Sequence, residues 1–561
     1  MKKNAFTLIE LLAVIVILAI IALIAVPIIL NIIEDAKKSS KEESIKMYAK
    51  IVEKAATNYF LNHPKEKTVT IDKLDKLINY NGDRVICKTT KIYPNGKIYL
   101  KDCTVDGEEI EYTYGEKQRN PNITVDLTQG LTPVIYDGDN WVVTDKNDND
   151  WYDYDEQQWA NAVVLRNDVQ KQKGDTVTVE GENPEVLMMF VYIPRYEYKI
   201  DGQYGKHPDG TDGTAELPGE IKVNFIKNNK ITPTSGYHIH PAFIFGEQQT
   251  NGFWIGKFEL SRTESVESSS VLRVLPNVES SQVYWLSHTF IEIYGVSNDS
   301  TFGLSNIDTH MIKNSEWGAV AYLSQSKYGK YGNIGYEGVQ KEVYINNSYG
   351  TNGSGKLITG RSGGNIPGNT KQKDTYPTQT TSTAQYSLSG YYTYDGYLLN
   401  YNTNVKSETR DIKKGTGAST TGNIYGVYDM NGGRSEYVMG AYGDSEGIYS
   451  GYNRYNHSHF NGRLTNDSQI VSNYVDLPDS KYYDKYLTYD VETACNGVCY
   501  GQALSETSGW YGDGASMINN NNPWIIRGCN WNSDISSGIF RYYGSNGENF
   551  GEATRIVAIK K

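Results

Sequence analysis

Cysteine is scarce, at five in 561 residues, and proline numbers only 16. A small disulfide-built scaffold is thereby excluded, because such folds rest on a far denser cysteine framework. A basic surplus is also missing: 54 Lys and Arg stand against 66 Asp and Glu, a formal net charge of −12. The phosphate-seeking basic face of a nucleic-acid binder is therefore not expected. Disorder is disfavoured too, since aromatics make up 12% of the chain and can bury area. What is abundant is glycine and tyrosine, 54 and 46 residues, in a chain of mean hydropathy −0.54. That balance describes a polar, turn-rich, aromatic-rich β-type protein, too long for a single small domain.

The apolar residues are unevenly spread. Leu11 to Leu30 is a run of twenty apolar residues, which as a helix covers about 30 Å, the thickness of a bilayer's hydrocarbon core. Lys2 and Lys3 precede it, fixing the short leader on the cytoplasmic side and directing the remainder outward. A secretory signal would place a small-residue cleavage site after its apolar region. Here the small residue, Ala5, comes before it.

Met1-Lys2-Lys3-Asn4-Ala5 followed by Phe6-Thr7-Leu8-Ile9-Glu10-Leu11-Leu12 resembles the type IV prepilin signature. The resemblance implies cleavage by a prepilin peptidase after Ala5 and methylation of the new amino terminus at Phe6. Most relatives have Gly where this chain has Ala5. Glu10 is a lone carboxylate in an apolar run, costing on the order of 2–4 kcal/mol unless a cation meets it. The family supplies that cation as the Phe6 ammonium of a neighbouring subunit. Pro27 removes one helical hydrogen bond mid-run and loosens or kinks the helix.

Beyond the apolar run, Ile45, Tyr48, Ile51, Val52, Ala55, Ala56 and Tyr59 recur at the spacing of one helical face. The helix is expected to continue from Phe6 to about Asn62, roughly 85 Å, and to stop before Pro64. Residues 63–118 then read as a small β head, with Tyr93-Pro94-Asn95-Gly96 as a type I′ hairpin turn. Cys87 and Cys103 flank that turn symmetrically, so a cross-strand disulfide is the simple reading, with two reduced thiols as its alternative. Residues 119–179 read as an aromatic, hairpin-rich connector. Within it Asp145, Asn147, Asn149, Asp153 and Glu156 match five positions of a calcium loop. Asp150 stands where its glycine belongs, however, and strand-like residues follow, so a solvated acidic turn is the favoured reading.

Residues 180–561 are read as one large unit with a helix around Asn314 to Ser324. Phe190 to Arg195, Gly252 to Glu259, Trp317 to Tyr322, Gly426 to Met430 with Glu436, and Ile526-Arg527-Gly528 with Trp531 follow one another in order. That order resembles the formylglycine-generating, sulfatase-modifying family, a variant of the C-type lectin fold. The enzymes of that family use a cysteine pair to bind copper and reduce oxygen. The matching positions here are Ser533 and Gly538, so oxidase chemistry is not expected. Around Met430 the family's usual Asn and Trp are replaced while Glu436 remains, which weakens a family calcium site.

The segment from Asn530 to Glu552 carries Asn530, Trp531, Asn532, Asp534, Arg541, Tyr542, Tyr543, Asn546 and Asn549. Tyr, Asn, Ser and Gly make adaptable contact surfaces, and lectin-like relatives bind ligands with this region, so these nine are the candidate ligand-binding residues. Cys495 and Cys499 read as a loop-closing disulfide rather than a zinc site, since no second pair accompanies them. His238 and His240 read as a strand rim. Gly350 to Lys356 lacks the hydroxyl and the helix of a phosphate loop.

The expected fold class is α+β: a leader (1–5), a transmembrane and assembly helix (6–62), a disulfide-bonded β head (63–118), a connector (119–179) and a loop-rich C-type-lectin-like domain (180–561). The expected function is a minor or tip type IV pilin-like subunit, membrane-anchored before assembly and on the cell surface after it. Its large domain would bind an extracellular glycan or protein for adhesion, with no catalysis, no resident metal or cofactor and no nucleic acid. The alternatives are a pseudopilin of a secretion or DNA-uptake machine and a purely structural pilin.

Overall fold

The computed structural model describes residues 8–561 outside 64–65, 67–68, 180–182, 263–270, 277–282, 284–285, 333–342, 344–417, 445–446, 449–460, 465–469, 475–477, 488–494, 496–498, 520, 530–537 and 546–551. The chain divides into two compact units, Met1–Gln118 and Arg119–Lys561.

The first unit is built on helix α1, Leu8–Asn62, continuous through Pro27. Ile45, Ala49, Val52, Ala56 and Phe60 form its buried stripe, three and four residues apart as the sequence periodicity demands. They pack on a three-stranded antiparallel sheet of β1 (Val85–Ile92), β2 (Ile98–Val105) and β3 (Glu108–Ile110), through Ile98, Leu100, Val105 and Ile110. Cys87 and Cys103 face each other across β1 and β2 and are joined in a disulfide. Among the described residues no helix is long and apolar enough to cross a membrane. The transmembrane expectation for residues 11–30 falls largely on side chains outside the described ones.

The hairpin turn differs from expectation. A type I′ turn needs positive φ at both central residues, but only Gly96 has it, at +79°. The Gly96 amide donates to the Tyr93 carbonyl at 2.8 Å and the Tyr93 amide to the Lys97 carbonyl at 2.9 Å. Pro94 is the physical reason: its ring fixes φ near −65°, so Pro94-Asn95 make an ordinary turn and Gly96 alone supplies the left-handed step.

The second unit is organised by an eight-stranded, wholly antiparallel sheet. Its strands are β4 (Thr132–Tyr136), β5 (Trp141–Val143), β6 (Asn161–Leu165), β7 (Thr176–Val177), β8 (Val186–Pro194), β9 (Gly252–Gly256), β10 (Ile307–Met311) and β11 (Ile556–Lys560). Their order is β10-β11-β9-β8-β6-β4-β5-β7. Residues 119–179, expected as a separate connector, thus supply four strands of the main sheet. The reason lies in β8: all nine of its residues are buried, so its backbone N–H and C=O groups are shut off from water and need ladder partners on both edges, which β6 and β9 provide.

Two helices follow β9, α2 (Leu286–Gly295) and α3 (Asn314–Ser324). All eleven residues of α3 are buried, not one face only. A smaller sheet centres on β12 (Glu436–Asp444), which pairs antiparallel with β13 (Trp524–Arg527) and parallel with Asp484–Tyr486. β13 in turn pairs with β14 (Tyr542–Ser545). Several cations are enclosed by this architecture. The Lys257 ammonium donates to Asn161 Oδ1 at 2.8 Å and to the Ile424 and Gly426 carbonyls at 2.6 and 3.0 Å. Arg195, Arg527 and Arg555 are likewise at most 1% exposed.

Candidate functional site

Two regions carry the candidate residues. In the first, Ala5 and Phe6 lie outside the described residues. Glu10 and Pro27 are placed by backbone alone, both within α1.

The second region is the face around β13 and β14. Arg527 stands opposite Tyr542 in their register. The Arg527 guanidinium lies 5.2 Å from the Tyr542 ring centroid and its Nε donates to Asn314 Oδ1 at 2.7 Å. Tyr542 is 2% exposed. It is therefore a packing residue beneath the face, not a contact residue, which corrects its place among the nine candidates. Alternation explains the difference: neighbours along a strand point to opposite sides, so of this pair only Tyr543 remains half-exposed. Arg541 is half-buried too and stacks 5.0 Å from the Tyr543 centroid, leaving an aromatic face and a guanidinium side by side. Asn530, Trp531, Asn532, Asp534, Asn546 and Asn549 lie outside the described residues, as does Ser533.

Beside this face runs the turn from Asp429 to Glu436. Asp429 takes φ +60° and Gly433 φ +65°. A Cβ on Gly433 would sit 2.2 Å from Glu259 Oε1, which accepts the Arg434 amide at 2.7 Å. Glycine is required there by both conformation and space. The Cys529 thiol donates to Asn431 Oδ1 at 2.9 Å, and the Asn431 amide donates to the Val343 carbonyl at 2.6 Å. Cys529 is buried and outside any disulfide, and Gly538, the described one of the two positions matched to the copper-binding pair, has no side chain. Glu436 is turned inward: its Oε1 accepts from Arg555 Nε at 2.9 Å and Nη2 at 2.8 Å. Burial pushes the Glu436 carboxyl up, to about 7, against the pull of Arg555. Glu436 is thus tied up in an internal ion pair.

The other sequence candidates resolve as follows. Asp145 Oδ1 accepts the Asn147 amide at 2.7 Å and Asp153 Oδ1 the Asp155 amide at 3.1 Å. Asp148 binds Lys173 at 2.7 Å. The Asp145 and Asp153 contacts are the local side-chain-to-backbone bonds of an acidic turn, and Asp148 is held in an ion pair. No group of three or more His, Cys, Asp or Glu suited to a metal ion occurs among the described residues. Cys495 and Cys499 form a disulfide. His238 stacks on Tyr500 with centroids 3.9 Å apart, while His240 is fully buried and its Nδ1 accepts the Ala242 amide at 3.3 Å. Sequence reading passed over the groove-lining residues Asp308, Lys313, Lys481 and Asp484. They are scattered across about 180 positions with no spacing signal.

Residues 1–26 match the family model described as the prokaryotic N-terminal methylation motif. The amino terminus is thus of the type IV prepilin kind, the start of a pilin-like or pseudopilin-like chain. Such a start implies prepilin-peptidase processing and membrane anchorage ahead of assembly with other pilin subunits. No curated protein matches the chain.

Proposed function

We propose that this chain is a type IV pilin-like subunit whose large second unit is a non-catalytic, lectin-like recognition domain displayed on a pilus. The carrying observation is the methylation motif at residues 1–26. The twenty-residue apolar run Leu11–Leu30 would hold the precursor in the membrane, and Glu10 would meet the Phe6 ammonium of a neighbour during assembly. The disulfide-bonded β unit packed on α1 supports the same reading.

Support for the lectin-like assignment comes from the large unit's architecture. β11 pairs with both β9 and β10, two helices sit between early and late segments, and a small second sheet is formed by late, loop-connected strands. Arg541 and Tyr543, with the neighbouring residues 530–537 and 546–549, would form the ligand face. Ser533 and Gly538 in place of the cysteine pair, together with a hydrogen-bonded Cys529, support a unit without oxidase activity. A unit of some 380 residues has a radius of gyration of about 21 Å, and heads of that size would crowd a filament, so a minor or tip position is proposed.

The test is mass spectrometry of the protein from sheared filaments, combined with gold labelling of the large unit. A mature chain starting at methylated Phe6, with sparse or terminal labels, is expected. An uncut leader, or single membrane-held molecules without filaments, would overturn the proposal. Continuous labelling along the fibre would overturn the minor-subunit position.

A further inference from the structure

A groove of about 880 Å³ opens in the second unit, lined by Phe245, Asp308, Lys313, Lys481, Tyr483 and Asp484 among others. It shares no residue with the face around Arg541 and Tyr543. Its volume falls in the range of sites for small organic ligands, about 300–1,000 Å³.

Its walls carry charges of both signs beside aromatic side chains. Lys313 is 5% exposed, yet its ammonium makes no ion pair or hydrogen bond with another side chain among the described residues. It lies 5.6 Å from the Phe245 ring centroid, and the Lys481 ammonium lies 5.3 Å from the same ring. Two lysines thus converge on one aromatic side chain. The positive charge of Lys313 is felt by the Asp484 and Glu316 carboxylates, and its ammonium N–H groups line the groove. The acceptors nearby are only partly used. Asp484 takes one bond on each oxygen, from the Ser315 amide at 2.6 Å and the Ser315 hydroxyl at 3.2 Å. Asp308 Oδ2 accepts from the Tyr482 hydroxyl at 2.8 Å, and its Oδ1 lies 3.4 Å from His310 Nδ1. A carboxylate has about four lone-pair positions, so each can accept more.

The mixture of signs decides the ligand class. An anion would gain the lysines but meet Asp308, Asp479, Asp484 and Glu247 on the same walls. A cation would meet Lys313 and Lys481. A hydroxyl both donates and accepts, so it can take a bond from an ammonium and give one to a carboxylate. The aromatic side chains Phe245 and Tyr483 offer apolar surface for the C–H face of a ring. We propose that this groove is a binding site for a neutral, hydroxyl-rich sugar of one to two rings, held by Lys313, Lys481 and Asp484. The proposal deepens the reading of the large unit as a recognition domain and rests on it.

The test is titration calorimetry on the full chain in nanodiscs, with lactose, maltose and N,N′-diacetylchitobiose as neutral probes. Sialyllactose and a chitosan disaccharide form the anionic and cationic arms. Binding of a neutral probe, weakened at least tenfold by Lys481→Ala and by Lys313→Met, is expected. Asp484→Asn is the third variant, and a thermal melt on each shows that the fold persists. Since Lys313 is enclosed, Lys481→Ala carries the decision if Lys313→Met does not fold. Binding confined to a charged arm, or neutral-sugar binding untouched by Lys481→Ala, overturns the groove. Loss on Arg541→Ala with full binding in the groove variants also overturns it, by moving the sugar to the β13–β14 face while the recognition reading survives. No binding of any probe overturns the groove as well. The filament experiment, read separately, decides the fate of the pilin proposal.

Discussion

His240 is fully buried, and burial holds its pKa down at about 3. In the folded chain it stays neutral, whereas the unfolded chain takes up a proton below about pH 6.5. Its contribution to stability is therefore complete above pH 6.5 and is lost as pH falls from there towards 3, at up to about 1.4 kcal/mol per pH unit. Glu436 works in the opposite sense. Its raised pKa favours the protonated carboxyl in the fold, so its contribution is greatest below about pH 4.5 and is lost as pH rises through about 7. Comparing variants separates the two. Urea titrations from pH 7 to pH 4.5 are expected to show a shallower loss for His240→Asn, whose amide oxygen can still accept the Ala242 amide, than for the parent chain. Glu436→Gln, which keeps an oxygen to accept from Arg555 and never ionises, is expected to flatten the loss of stability that the parent chain shows as pH rises through about 7. The same urea measurement checks it. None of these residues was legible as interior from the sequence. A Lys, Arg or Glu is read as exposed by default, and only oxygens brought in from distant sequence, Ile424 at 167 positions from Lys257 and Asn314 at 213 from Arg527, reverse that expectation.

Elements were more legible than their surroundings. The stripe on α1 and the helix at 314–324 follow from 3.6-residue spacing, a purely local property. The cysteines flanking the β1–β2 hairpin are equally local. Removing them with Cys87→Ala and Cys103→Ala together is expected to cost the first unit about 3 kcal/mol, since the bridge closes a loop of 16 residues. The fall in its denaturation midpoint measures this. The turn type was misread because Asn-Gly was weighed without Pro94 before it. Strands β4 to β7 were misplaced because pairing partners depend on distant sequence. In the smaller sheet the constraint is steric. Gly433→Ala, meeting both positive φ and the Glu259 carboxylate, is expected to destabilise the second unit by about 2 kcal/mol, read as a lower midpoint with intact disulfides.

At the scale of the molecule, each unit carries its own core, Ile45 to Ile110 in one and Ile123 to Ile559 in the other. Two unfolding transitions are therefore expected in guanidinium rather than one. The cysteine variants should shift one and Gly433→Ala the other; a single shared transition moved by both would contradict this. The order of segments in the large unit was readable, but the groove around Lys313 was not, because its walls come from four separated stretches.

β11 lies inside the main sheet, with β9 on one side and β10 on the other. Ile556–Lys560 must therefore be in place before β10 can join the sheet through β9, however much of the chain has already folded. Without β11, the facing edges of β9 and β10 would both be left without ladder partners. Joining β10 to the rest of the sheet is thus a long-range step of folding, of the kind that high contact order makes slow.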